Sequence, residues 1–196
     1  MNRTKDNTFI ITHTGERFYP WHPEDCNISI IDIAYALSNV CRFGGHSSRY
    51  YSVAEHSVTL SRYLVNVGCG PDEKRNNELW ALLHDAAEAY IGDTVTPVKK
   101  MIPEFEVLEQ GILACVASTF SLSAKVPNTV TISDKQLMMD EAKALMPSYN
   151  AFQEHCDASP LGVHIPKYAD PPSWDDEVFP YSSFLDTYEQ INSKYK

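Results

Sequence analysis

Apolar residues in this chain recur mostly at helical spacing, and strict alternation is rare. Ile30, Ile33, Ala34 and Leu37 predict a first helix over Ser29 to Asn39. Ser52 followed by Glu55 forms a capping box that opens a second helix. On that helix Val53, His56, Leu60, Leu64 and Val67 share a face. Gly68-Cys69-Gly70-Pro71 closes it, and a charged linker leads to a third helix over Leu79 to Ile91, with Asn77 as N-cap and Gly92 beyond its end. Glu104 to Phe120 and Leu137 to Met146 read as further helices, and Phe184, Leu185, Tyr188 and Ile191 as a closing one. The β-branched run Thr129-Val130-Thr131-Ile132 fits either a strand or a helix start. Near the N-terminus, Phe9 to Thr12 and Arg17 to Tyr19 flank a turn at His13 to Glu16 and predict a short hairpin. Pro147 to Asp176, rich in Pro, Ser, Tyr and Asp, reads as a long loop over the core. The expected fold is all-α, one helical domain over residues 1–196 with a small N-terminal β-hairpin.

Composition narrows the functional classes. A chain of 196 residues, 43% hydrophobic, can bury a proper core. Its net charge of −10 argues against an electrostatic nucleic-acid binder. The polar start, Met1 to Asp6, does not resemble a signal peptide, and no apolar run approaches membrane-spanning length. Five cysteines without a CxxC pair disfavour a zinc knuckle and fit a reducing, cytoplasmic setting.

The third helix carries the chemistry. His84, Asp85 and Glu88 interrupt a segment otherwise built of Leu, Ala, Trp, Tyr and Ile, and no Lys or Arg occurs between Asn76 and Val98. Leu79, Leu82, Leu83, Ala86 and Tyr90 form one stripe, and the three ionisable residues fall together on the opposite side. Such a face is either a solvated acidic surface or a metal site with a nearby acid or base. His56, on the apolar face of its helix, is either a hydrogen-bonded core residue or a ligand. Asp134, in phase with Leu137, Met138, Glu141 and Leu145, either caps a helix or points inward.

His56, then His84-Asp85, then Asp134, on separate helices, resembles the H…HD…D pattern of the HD-domain metal-dependent phosphohydrolases. The surrounding blocks, Tyr51 to Ser57, Leu83 to Ala89 and Gly92 to Lys99, are similar to the 5′-deoxynucleotidase-like subgroup, whose relatives include phage dATP triphosphohydrolases. The resemblance spans about residues 16 to 146. It implies that His56, His84, Asp85 and Asp134 ligate a divalent ion. Two imidazoles and two carboxylates suit Mn²⁺, Co²⁺, Zn²⁺, Fe²⁺ or Ni²⁺, with Mg²⁺ as an additional ion. It further implies that Glu88 and Asp93 are the acid/base pair, without saying which is which.

Arg42-Phe43 matches an Arg-Trp pair of the deoxynucleotidases, with Phe replacing Trp. Arg42 would hold phosphate and Phe43 would pack on sugar or base; a surface ion pair and plain core packing are the competing readings. Lys99, in a Thr-Pro-Val-Lys turn, and His46, beside two glycines, are further candidates for phosphate contact. The implied activity is hydrolysis of the 5′ phosphoester of 2′-deoxynucleotides. dATP leads, and monophosphates stand as alternative substrates. Other HD reactions, on cyclic nucleotides or guanosine tetraphosphate, would use the same ligands. A non-catalytic nucleotide-binding regulator is the rival of a different class. The expected partners are a small nucleotide and further copies of the chain, with neither nucleic acid nor membrane.

Overall fold

The computed structural model describes residues 8–154, 156, 158–166 and 178–196. Two short strands, β1 (Ile10–Ile11) and β2 (Arg17–Phe18), pair antiparallel with Ile10 opposite Phe18. The turn between them closes with Thr12 N donating to Glu16 O at 2.9 Å, and Gly15 supplies a positive φ of 89°. Among the described residues the remaining regular structure is helical, with 3-10 turns at Pro23–Asp25 and Arg42–Gly45. The helices are α1 (Ile30–Asn39), α2 (Val53–Tyr63), α3 (Pro71–Leu83), α4 (Glu88–Ile91), α5 (Thr96–Lys99), α6 (Pro103–Thr119), α7 (Asn128–Leu145), α8 (Tyr149–Gln153) and α9 (Val178–Lys194). The molecule is an all-α bundle with a small N-terminal hairpin.

α2 runs through the middle of the bundle and packs on α1, α3, α7 and α9. Ile33, Leu37, Val53, Leu60, Leu79, Leu82, Leu83, Leu137 and Phe184 of these helices, with Ile112 of α6, are wholly buried in the core. Each such side chain contributes about 1.5–3 kcal/mol through removal of apolar surface from water. Ser52 caps α2 as its sequence predicts, with Glu55 N donating to Ser52 Oγ and Ser52 N to Glu55 Oε2. Ser29 likewise caps α1.

Polar clamps tie the outer elements on. Thr14 donates its N–H and its hydroxyl to the Asp32 carboxylate at 2.7 and 2.9 Å, fixing the hairpin to α1. Phe18 stacks on Tyr90 with ring centroids 3.8 Å apart. Glu78 Oε1 accepts from Asn66 N, Lys194 Nζ and Tyr195 Oη, which holds the end of α9 against α3.

The structure corrects several boundaries. The charged stretch before Leu79 is helix, not linker: α3 starts at Pro71 with Gly70 as N-cap. Proline fits there because the first turn has no use for its missing N–H. Asn77 is interior to α3 and donates to Val67 O at 2.9 Å. α2 ends at Tyr63, so Val67 lies past the helix and is exposed. Thr129 to Ile132 belong to α7, which makes Asp134 a mid-helix residue rather than a cap. Part of the expected loop after Pro147 is α8, and residues 155, 157 and 167–176 of it lie outside the described residues. Among the described residues, no helix is long and apolar enough to cross a membrane.

Candidate metal centre

The predicted helix over Leu79 to Ile91 breaks after Leu83. From Leu83 to Tyr90 the backbone turns to i→i−3 hydrogen bonds: Ala86 N to Leu83 O, Glu88 N to Asp85 O, Ala89 N to Ala86 O and Tyr90 N to Ala87 O. The tighter winding advances each residue by more than an α-helix would, a local form often found at functional positions. His84 reinforces it. Its Nδ1 donates to Ala81 O at 2.9 Å, a carbonyl that a continuing helix would offer to Asp85 N. That bond also fixes the tautomer, so His84 turns Nε2 away from its own helix. Gly92, with φ 77°, ends α4 and starts the loop that carries Asp93.

His56 enters from α2, wholly buried. Its Nδ1 donates to Glu141 Oε1 at 2.6 Å, and its Nε2 lies 3.3 Å from His84 Nε2. Asp134, on α7, brings Oδ1 to 3.1 Å from His56 Nε2 and 3.7 Å from His84 Nε2. His56, His84 and Asp134 therefore present three ligand atoms within 4.8 Å of one another. Asp85 stands beside this triad: its Oδ2 is 3.2 Å from His84 Nε2 and 3.9 Å from His56 Nε2. The same oxygen accepts from Arg42 Nη1 at 3.2 Å.

Burial disfavours charge at all of these groups, and their mutual attraction outweighs it. His84 titrates well above the usual 6.5 because Asp85 and Asp134 flank it. Asp134 is held well below the ordinary carboxylate range by His56 and His84, and Asp85 is lowered by His84 and Arg42. Two carboxylates around a pair of facing imidazole nitrogens form a site that favours a cation at its centre. The donor set fits a divalent transition metal.

Asp134 of the triad, with Asp85 beside it, lines a cleft of about 690 Å³. Glu88 and Asp93 line it together with Asp85 and Asp134. Glu88 is 4% exposed; its Oε1 accepts from Lys99 Nζ at 3.1 Å, while Oε2 is buried without a hydrogen bond. Burial, then repulsion from Asp85 and Asp93, pushes the Glu88 carboxyl well above its usual range. Asp93 is also raised, first by burial, with Arg42 and Lys99 opposing. Two neighbouring carboxyls that hold protons unusually tightly are the raw material of acid–base chemistry.

Of the expected substrate contacts, Arg42, Phe43 and Lys99 line the cleft, whereas His46 is exposed and stands outside its lining. Arg42 to Gly45 form a 3-10 turn in which Phe43 takes φ 57° and ψ 26°, a left-handed conformation rare for a bulky residue. The Phe43 ring meets Phe152 of α8 edge-on, centroids 6.0 Å apart. Lys99 is not a free lysine: it bridges Glu88 and Glu109 Oε1, the latter at 2.8 Å.

Sequence reasoning missed Glu141, Glu109, Phe152 and Met138. Glu141 carried a signal, being a charged residue on the same inward stripe as Asp134. Met138, one turn beyond Asp134, lies on that stripe as well, whereas Glu109 and Phe152 reach the site only through tertiary packing.

No family model matches the chain. It is 36% identical over 138 residues to the uncharacterized protein YfdR of Escherichia coli K12, an alignment covering 70% of this chain and 72% of that protein. The chain belongs to the YfdR family. An uncharacterized protein of Rhodobacter capsulatus is 38% identical over 117 residues, 58% of this chain and 59% of its own length.

Proposed function

We propose that this YfdR-family chain is a metal-dependent phosphohydrolase of the HD-domain class, acting as one catalytic domain on the 5′ phosphoester of 2′-deoxynucleotides. dATP is the favoured substrate and deoxynucleoside monophosphates the alternative. The observation that carries the reading is the convergence of ligand atoms of His56, His84 and Asp134 within 4.8 Å, with Asp134 and Asp85 lining a cleft that also holds Glu88 and Asp93. His56, His84, Asp85 and Asp134 would hold the ion, which supplies Lewis-acid polarisation of a phosphoryl oxygen when bound.

The remaining roles belong to the chain's own groups. Arg42 and Lys99 offer positive charge to phosphate in a protein whose net charge of −10 would otherwise repel a polyanion. Glu88, whose carboxyl is pushed well above its usual range by burial and by Asp85 and Asp93, is the group that donates a proton to the leaving 5′ oxygen. Asp93, more open to the cleft, orients the attacking water. Phe43 packs against sugar or base.

The test is a turnover screen. Purified protein is incubated with each dNTP, dNMP and NTP in Mn²⁺, Co²⁺ or Mg²⁺, and products are resolved by chromatography. Release of deoxynucleoside with phosphate or polyphosphate, fastest from dATP, supports the reading. No turnover of any nucleotide with any of the three metals would refute it.

A further inference from the structure

Glu141 lies on α7 two turns beyond Asp134 and is wholly buried. It lines no part of the cleft described above, and the roles proposed so far leave it unused. Among the described residues its polar partners are His56, Arg42 and Tyr51, and the first two belong to the site. Oε1 accepts from His56 Nδ1 at 2.6 Å and from Tyr51 Oη at 2.9 Å. Oε2 faces Arg42 Nε at 3.3 Å, and neither of those two atoms has a hydrogen bond.

A buried carboxylate needs a reason, because isolated burial of charge is strongly unfavourable. Packing alone would be served by an apolar residue, as at neighbouring Leu137 and Leu145. What Glu141 supplies instead is a fixed acceptor behind His56. An imidazole has two nitrogens, and the one that carries the proton cannot ligate. With Nδ1–H donated to Glu141, Nε2 is left with its lone pair toward His84 and Asp134. Tyr51, from the segment before α2, steadies the same oxygen. The other oxygen places Arg42, whose Nη1 in turn reaches Asp85 Oδ2.

We infer that Glu141 is a positioning residue: it sets the tautomer and orientation of His56 and seats Arg42 between itself and Asp85, so that one buried carboxylate aligns both the ion-binding imidazole and the guanidinium of the cleft. This rests on the metal-centre reading of His56, but not on the identity of the substrate.

Two measurements test it. The first needs no variant. In metal-free wild-type protein with ¹⁵N-labelled histidine, at a pH where the ring is neutral, long-range ¹H–¹⁵N spectra should show His56 protonated at Nδ1 and bare at Nε2. The opposite tautomer would overturn the inference, whatever the enzyme hydrolyses. The second compares Glu141→Gln and Glu141→Asp with wild type by Co²⁺ titration, followed by calorimetry and by the visible spectrum. Loss of a carboxylate behind a ligating histidine weakens metal binding by about 10–100-fold. Glu141→Gln should show that loss and an altered Co²⁺ spectrum, with partial recovery in Glu141→Asp. Co²⁺ affinity within about 2-fold of wild type in a folded Glu141→Gln would assign the residue to packing only. Failure of wild-type protein to bind Co²⁺ at all would instead remove the metal centre itself, an outcome distinct from either.

Discussion

Arg42 Nη1 lies 3.2 Å from Asp85 Oδ2, so the side chain expected to hold phosphate is tied to one expected to hold metal. The two sites are thus mechanically joined. Arg42→Ala should weaken binding of every nucleotide alike, by about 10–100-fold for the loss of a charge-assisted hydrogen bond. It should also lower thermal stability, because Glu141 then stays buried without its cation. Parallel KM and melting-temperature measurements check both effects; a change in KM with no change in melting temperature would show that Glu141 is satisfied without Arg42.

Removal of a ligand should empty the centre. His84→Ala and Asp134→Ala should each bind less than about a tenth of the wild-type complement of Mn²⁺ or Co²⁺, since structural and catalytic ions lose affinity steeply with each donor. Elemental analysis after dialysis gives the answer. Full metal content in either variant would place the ion elsewhere.

Glu88 and Asp93 should separate from the ligands. Replacing either with Ala is expected to lower kcat by about 10²–10⁴-fold, the usual contribution of a positioned acid or base, while metal content stays near wild type. Loss of metal in Glu88→Ala would make it a ligand instead.

Sugar discrimination is expected to be modest. A pocket that rejects the 2′-hydroxyl by an apolar contact discriminates by about 10²-fold. Phe43 borders the cleft next to Phe152, and Phe43→Ala should therefore shift the ranking among sugars or bases more than the turnover of the best substrate. Equal kcat/KM for ATP and dATP in the wild type would rule out the deoxy preference.

One pH effect lies far from the metal. Burial alone would raise the Glu78 carboxyl, but bonds from Asn66 N, Lys194 and Tyr195 bring it below its usual 4.5. A lowered folded-state pKa means that this contribution to stability is complete above 4.5 and fades as the pH falls through the folded value. Chemical denaturation between neutral pH and pH 3 should show wild type losing a component of stability that Glu78→Gln lacks. Parallel curves for the two proteins would disprove the linkage.

Much of this arrangement was legible along the chain. Ser52 and Glu55 mark the start of α2 because a capping box is local, and the apolar phase of α1 and α9 follows from spacing. The start of α3 is not legible, because Asp72 to Asn76 is polar throughout and offers no stripe, and Gly70-Pro71 serves equally as the stop of one helix or the start of the next. The break after Leu83 escaped for another reason. It depends on a histidine side chain taking a backbone carbonyl, which periodicity does not register. Lys99 sits eleven residues from Glu88 and ten from Glu109, and only the fold decides that it bridges them.

The left-handed backbone at Phe43 carries a cost of about 1–3 kcal/mol that glycine at the same place would largely escape. Glycine would relieve that strain but forfeit a ring that packs on the core and on Phe152, a loss of comparable or larger size. A selection for thermal tolerance alone, blind to catalysis, should therefore keep a bulky residue at position 43, because the strained turn and the ring it aims are held as one unit.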